Sequence, residues 1–186
     1  MMKHSGKKLV LALIFLLLAA PLVMAGTTVS DTDKYSWGPN IGWLNWQGDK
    51  THGVVFDNTD YLSGYIFSAN CGWIHLGDGS PANSTAYAND SADDYGINIS
   101  GEDGNYYYLT GYAWAQNIGW INFNADGDFA SRFGVYIPPV IFKTTGGLEG
   151  YVWSANCGWL PLKSDPLALV DLSGQAIPVI TGWMLR

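Results

Sequence analysis

The sequence predicts an all-β protein in which four tandem three-stranded antiparallel repeats close into a barrel or a small propeller-like ring, with a two-sheet β-sandwich as the second architecture. The first ground is a nine-residue pattern, Tyr-x-aromatic-x-x-Asn-x-Gly-Trp, that occurs four times without a gap. Its copies are Tyr35-Ser-Trp-Gly-Pro-Asn-Ile-Gly-Trp43, Tyr65-Ile-Phe-Ser-Ala-Asn-Cys-Gly-Trp73, Tyr112-Ala-Trp-Ala-Gln-Asn-Ile-Gly-Trp120 and Tyr151-Val-Trp-Ser-Ala-Asn-Cys-Gly-Trp159. The second is strand chemistry around each copy, rich in aromatic and β-branched residues. The third is punctuation: 23 glycines fall at turn positions, and no stretch of residues 26–186 carries a helical period.

Each repeat is read in order as leader, hairpin and closing strand. The leader has the form Leu-x-Gly, as in Leu62-Ser-Gly64, Leu109-Thr-Gly111 and Leu148-Glu-Gly150. The signature is a hairpin, because residues two apart share a face and Asn-x-Gly tolerates the positive φ of a reversal. The reversal is expected to set Trp120 opposite Trp114. A short strand follows (Leu44-Asn-Trp46, Ile74-His-Leu76, Ile121-Asn-Phe123, Leu160-Pro-Leu162), then a polar loop. Last comes a third strand such as Gly53-Val-Val-Phe56, Gly96-Ile-Asn-Ile99 or Gly134-Val-Tyr-Ile137. This gives about 12 to 14 short strands. Pro161 has no N–H to donate, so its strand is expected at an edge or to end early. The loop 77–95 is expected to be exposed and a place for variable function.

The copies pair off, the first and third sharing Asn-Ile-Gly-Trp and the second and fourth Ser-Ala-Asn-Cys-Gly-Trp, as a duplicated two-unit ancestor would. Ile180-Thr-Gly-Trp183 begins a fifth, half copy. It is read as closing the ring within one molecule, or as pairing with a second molecule and propagating an assembly.

Residues 1–25 read as an export signal. Lys3, Lys7 and Lys8 precede an apolar run from Leu9 to Val23 and small residues before Gly26; an uncleaved anchor is the other reading. Residues 26–186 form one β-repeat domain, expected to be secreted, periplasmic or on the cell surface, with no further membrane span. That part carries six Lys and Arg against sixteen Asp and Glu, a net charge of −10. Such a balance disfavours nucleic acid and anionic membrane surfaces as partners. Cys71 and Cys157 occupy the same slot of the second and fourth copies. Two readings stay open for them, a disulfide formed after export or two buried thiols.

The Gly-Tyr-Ala-Trp-Ala-Gln-Asn-Ile-Gly-Trp-Ile-Asn-Phe segment, the run Ser-Ala-Asn-Cys-Gly-Trp and Gly79-Ser-Pro-Ala-Asn83 resemble uncharacterised exported bacterial repeat proteins with Gly-Tyr-Ala-Trp-Ser-x-Asn-x-Gly-Trp-Ile repeats. The resemblance implies a bacterial exported protein and brings no catalytic residues. Phe67 in place of Trp, and Pro161, depart from the pattern.

Among chemistries, carbohydrate binding fits nine Trp and eleven Tyr best, with Tyr106, Tyr107, Tyr108, Trp46 and Trp183 as a solvent-facing platform. Trp43, Trp73, Trp120 and Trp159 are expected in the core, as regularly repeated rings usually are. Asn40, Asn70, Asn117 and Asn156 are read as turn formers. Asn124, Asp126 and Asp128, and separately Asp90, Asp93 and Asp94, carry oxygen donors that suit calcium, although solvated turns explain them better; no cofactor is assigned. A Cys71–His75 metal site is poorly supported, since the fourth copy has Pro161 in place of the histidine. No nucleophile elbow or phosphate loop is present. A glycosidase pair from Glu102, Glu149 and an aspartate is possible in principle only. The expectation is a non-catalytic module binding an extracellular glycan or envelope surface. The alternative is a self-assembling structural subunit joined by terminal strand exchange, and a secreted hydrolase comes last.

Overall fold

The computed structural model describes residues 26–57, 60–102, 104–124, 139–142 and 146–163. Thirteen strands and no helix are found among them. In chain order they are β1 (Tyr35–Gly38), β2 (Gly42–Asn45), β3 (Val55–Asp57), β4 (Tyr61–Ser63), β5 (Tyr65–Ser68), β6 (Gly72–His75) and β7 (Ile97–Glu102). Then follow β8 (Tyr106–Ala115), β9 (Gly119–Asn122), β10 (Val140–Phe142), β11 (Leu148–Glu149), β12 (Tyr151–Ser154) and β13 (Gly158–Pro161). All pairings are antiparallel, within one nearly closed, barrel-like sheet. The expected all-β ring of hairpins is the observed fold. The export signal, the fifth half copy, the Gly134-Val-Tyr-Ile137 strand and Trp183 lie outside the described residues.

The four signature segments are four hairpins: β1/β2, β5/β6, the second half of β8 with β9, and β12/β13. In each, the carbonyl end of the first strand turns back through a glycine at φ between 73° and 78° (Gly42, Gly72, Gly119, Gly158), a region that a side chain disfavours. Neighbouring hairpins join by equivalent registers, Leu44↔Ser68, Ile74↔Ala115 and Ile121↔Ser154. Between the fourth hairpin and the first, β13 lies beside β1, with Leu160 and Pro161 facing Gly38, yet the described residues form no ladder there. Pro161 stands where the other hairpins have Asn45, His75 and Asn122, and it withholds a ladder donor.

The leaders and closing strands extend the ring lengthwise. β8 belongs to both tiers, pairing with β6 and β9 at one end and with β7 and β10 at the other. Each leader leucine (Leu62, Leu109, Leu148) is fully buried. The glycine after it sits at φ 90° to 106° (Gly64, Gly111, Gly150), and at Gly64 and Gly111 a Cβ would collide with the carbonyl of Gly53 or Gly96. The motif is Leu-x-Gly because the chain bends between tiers where another strand's backbone closes in.

The interior is layered. Ile41, Cys71 and Ile118, with Cys157 against them, close the turn end. Leu44, Ile74, Ile121 and Leu160 form the next layer, and Trp46, Leu76, Phe123 and Leu162 the one below. Within a hairpin, the second signature residue is matched in size to the last of these. Ser36 accompanies Trp46, Ala113 accompanies Phe123, Ile66 accompanies Leu76 and Val152 accompanies Leu162. Small opposite large lets the side chains interdigitate in a narrow barrel, and the space among them that would admit a water-sized sphere is about 10 Å³.

Candidate functional site

The signature tryptophans are on the outside, which corrects their expected place in the core. Trp43 is 59% exposed, Trp73 and Trp120 are also exposed, and Trp159 is half-buried. Period two puts the signature Tyr, the second aromatic and the closing Trp on one face, and that face is the outer one. The inner positions hold Ser36 and Gly38, Ile66 and Ser68, Ala113 and Ala115, Val152 and Ser154, all buried. The barrel has no room for indoles from both strands of every hairpin. The expected opposition of Trp114 and Trp120 is observed, with ring centres 4.8 Å apart.

Trp46 is the reverse case. Expected as an exposed platform, it is 0% exposed, and its indole N–H donates to Ser36 Oγ at 2.9 Å. Tyr107 packs on the core and against Phe56, while Tyr106 and Tyr108 are half-buried, so these three rings do not form a flat exposed platform.

The turn asparagines are clasps between hairpins, a role beyond the turn forming expected of them. Asn70 Nδ2 donates to the Ile41 carbonyl, Asn117 to Cys71, Asn156 to Ile118, and Asn40 to Cys157, at 2.8 to 3.1 Å. The four bonds run head to tail around the whole ring. Each acceptor is the residue between Asn and Gly of the neighbouring hairpin, which is why that glycine faces an asparagine amide.

Cys71 and Cys157 are free thiols, and burial pushes the Cys71 thiol up from its ordinary value. In the structure the two are unbonded, Cys71 buried and Cys157 half-buried. No group of three or more His, Cys, Asp or Glu side chains placed to hold a metal occurs among the described residues. Asp126 and Asp128 lie outside them. The loop 77–95 is more firmly held than its composition implies. Tyr87 is buried between Gly77 and Gly96, its hydroxyl accepts from Gly79 N–H at 2.7 Å, and Asn98 bonds both its N–H and its carbonyl.

The outer rings form a continuous ridge across the second and third hairpins. Phe67 meets Trp73 (5.0 Å) and Trp73 meets Tyr65 (6.1 Å). Tyr65 stacks on His75 (4.6 Å), and His75 meets Tyr95 (5.4 Å). Tyr95 meets Trp120 (4.9 Å), which touches Trp114 and Tyr112. Tyr95, from the end of the long loop, bridges the two hairpins, and its hydroxyl is 2.6 Å from His75 Nδ1. Burial is the main cause that holds His75 below the ordinary imidazole value.

Beside this ridge opens a cleft of about 380 Å³, lined among the described residues by Asp49, His52, Tyr65 and Trp73. Its volume is that of a small-ligand site. Asp49 Oδ1 accepts from the N–H groups of Thr51 and His52, and its Oδ2 lies 2.8 Å from His52 Nδ1. The His52 side-chain and backbone bonds hold the Asp49 carboxyl below the usual carboxylate range, so it stays ionised. The cleft thus combines two aromatic walls, a fixed carboxylate and an imidazole. Sequence reasoning missed it because it fixed the wrong face for Trp73. The signal was available: Trp43, Trp73 and Trp120 share their strand face with Asn45, His75 and Asn122.

No protein-family model, no curated protein and no solved structure matches this chain.

Proposed function

We infer that the protein is a non-catalytic, exported or cell-surface module that binds glycans or an envelope surface through its outer aromatic ridge. The observation that carries this reading is the exposure of Phe67, Trp73, Trp114 and Trp120 on the outer face of a barrel whose inner face is taken up by buried apolar side chains. Large rings are mostly withdrawn from water, and a contiguous exposed set is the usual mark of an interaction surface. Flat rings edged by amide, imidazole and carboxylate groups suit the apolar faces and hydroxyls of sugars. In the cleft, Asp49 and His52 are bonded to each other, which supports a role as wall rather than as acid and base.

A glycan array probed with the wild-type chain and with Trp73→Ala tests this. Binding to a subset of glycans, lost in Trp73→Ala, supports it; silence of the wild type across the array removes it. Strand exchange between molecules is the second reading, and it draws on the unladdered edges of β1 and β13. Concentration-dependent polymers in size-exclusion chromatography and negative-stain images favour it, and a monomer at every concentration rules it out.

A further inference from the structure

The geometry points to a cationic amino sugar, a glycan carrying free ammonium groups, as the ligand of the Tyr65–Trp73 cleft; this rests on the glycan reading and narrows it. In all four hairpins the signature Tyr and closing Trp stand edge to face as a corner. Their centres are 6.1 to 6.4 Å apart and their planes 78° to 85° apart. In the first hairpin the chain sets an ammonium of its own beside this corner. Lys34 Nζ lies 5.7 Å from the Tyr35 ring centre, within the reach of a cation–π attraction, while donating to Gln47 Oε1 at 3.0 Å.

The second hairpin has no such lysine. The matching position is Gly64, held at φ 90°, where a Cβ would meet the Gly53 carbonyl, so no side chain can take that place. Here the cleft opens, and Asp49 faces it with an ionised carboxylate fixed by Thr51 and His52. The third corner differs again, since the ring of Tyr95 stands against Trp120 at 4.9 Å. The second corner therefore pairs aromatic faces with a carboxylate, and among the described residues that line it the basic neighbour is the His52 imidazole, with no lysine or arginine. An ammonium meets both attractions, and an attached pyranose ring can lie along the exposed Trp73. An acidic sugar would face the carboxylate, and the net charge of −10 over residues 26–186 opposes it further.

The test measures binding of a glucosamine tetramer and of its N-acetylated counterpart by titration calorimetry, using wild type, Asp49→Asn and Trp73→Ala. The expected result is that the free-amine oligomer binds roughly tenfold or more tighter than the acetylated one. Asp49→Asn should erase that preference, and Trp73→Ala should weaken both ligands. Choline, which offers the cation without the sugar, should compete with the free-amine oligomer. Equal affinity for the two oligomers, or a preference that survives Asp49→Asn, overturns the ammonium assignment while leaving the glycan reading intact. Binding of the free-amine oligomer that ignores both substitutions shows only non-specific attraction of a polycation to an acidic protein, and it overturns the assignment too. Failure of every glycan, on the array and here, defeats both readings.

Discussion

Asn40 of the first hairpin donates its side-chain amide to the carbonyl of Cys157 in the fourth, 117 positions along the chain, at 2.8 Å. The other three clasps reinforce junctions that already have a backbone ladder, whereas this one spans the junction where Pro161 withholds a donor. Removing a clasp at a laddered junction should cost about 0.5–1.5 kcal/mol, the net worth of one hydrogen bond. Asn40→Ala should therefore destabilise more than Asn117→Ala in urea unfolding. Equal losses for the two variants would show that the first and fourth hairpins are held together by other means.

Trp46 and Trp73 belong to the same kind of hairpin strand but point to opposite faces. Trp46→Ala removes a fully buried indole from a filled layer and strands the Ser36 hydroxyl. It should cost about 3–5 kcal/mol. Trp73→Ala trims an exposed ring and should stay within about 1 kcal/mol of wild type. Thermal or urea unfolding separates them, and a larger loss for Trp73 would mean that the inner and outer faces have been exchanged.

Much of the ring was legible in the sequence because the repeat fixes local geometry four times over. Strand period, reversal at Asn-x-Gly and the interruption at Pro161 all follow from residue types whose backbone preferences are strong. Which face is inside was legible in principle, from Asn45, His75 and Asn122 sharing a face with the tryptophans, yet ring size argued for the core. Packing decides this, since a narrow barrel needs Ser36, Ala113 and Ala115 inward. The asparagine clasps and the Tyr95 bridge were not legible. They join residues 20 to 117 positions apart, and no local preference encodes such contacts.

His75 ties stability to pH. Burial, partly offset by Asp78 and the Gly77 carbonyl, places its folded value below the 6.5 of the free imidazole. Tyr65 and Tyr95 pack on the same ring. The unfolded chain therefore binds a proton before the folded one does. This histidine's contribution is complete above about pH 6.5 and declines as the pH falls below it, levelling off once the folded-state value is passed. His75→Gln should flatten that part of the stability profile between about pH 7 and about pH 5. An unchanged slope in the variant would assign the effect to other groups.

The two thiols should differ in reactivity. Cys71 is buried and its thiol is pushed up from 9.0 by burial, whereas Cys157 is half-buried. Because the thiolate is the nucleophile, a maleimide added to native protein at neutral pH should label Cys157 first and Cys71 mainly on opening. Peptide mapping of a labelling time course reads the order. Recovery of a Cys71–Cys157 disulfide from the exported protein, with no free thiol after denaturation, would instead establish the bonded state.

Two glycines of the third repeat offer a paired test of the bend between tiers. Gly111 joins the leader half of β8 to its hairpin half at φ 106°, and a Cβ there would collide with the Gly96 carbonyl, which accepts from Tyr112 N–H at 3.2 Å. Neither partner is the free end of a side chain, so relief requires one backbone to withdraw from the other. Gly111→Ala combines positive-φ strain with this clash and should cost roughly 2–5 kcal/mol. Among the described residues, a Cβ at Gly104, in the turn before β8, would meet nothing within 4 Å. Gly104→Ala should stay within about 1 kcal/mol of wild type in the same unfolding measurement, because it mainly restricts the unfolded chain. If Gly111→Ala is as mild as Gly104→Ala, the two tiers are not locked at this crossing, and the burial of Leu109 beside it must come from elsewhere.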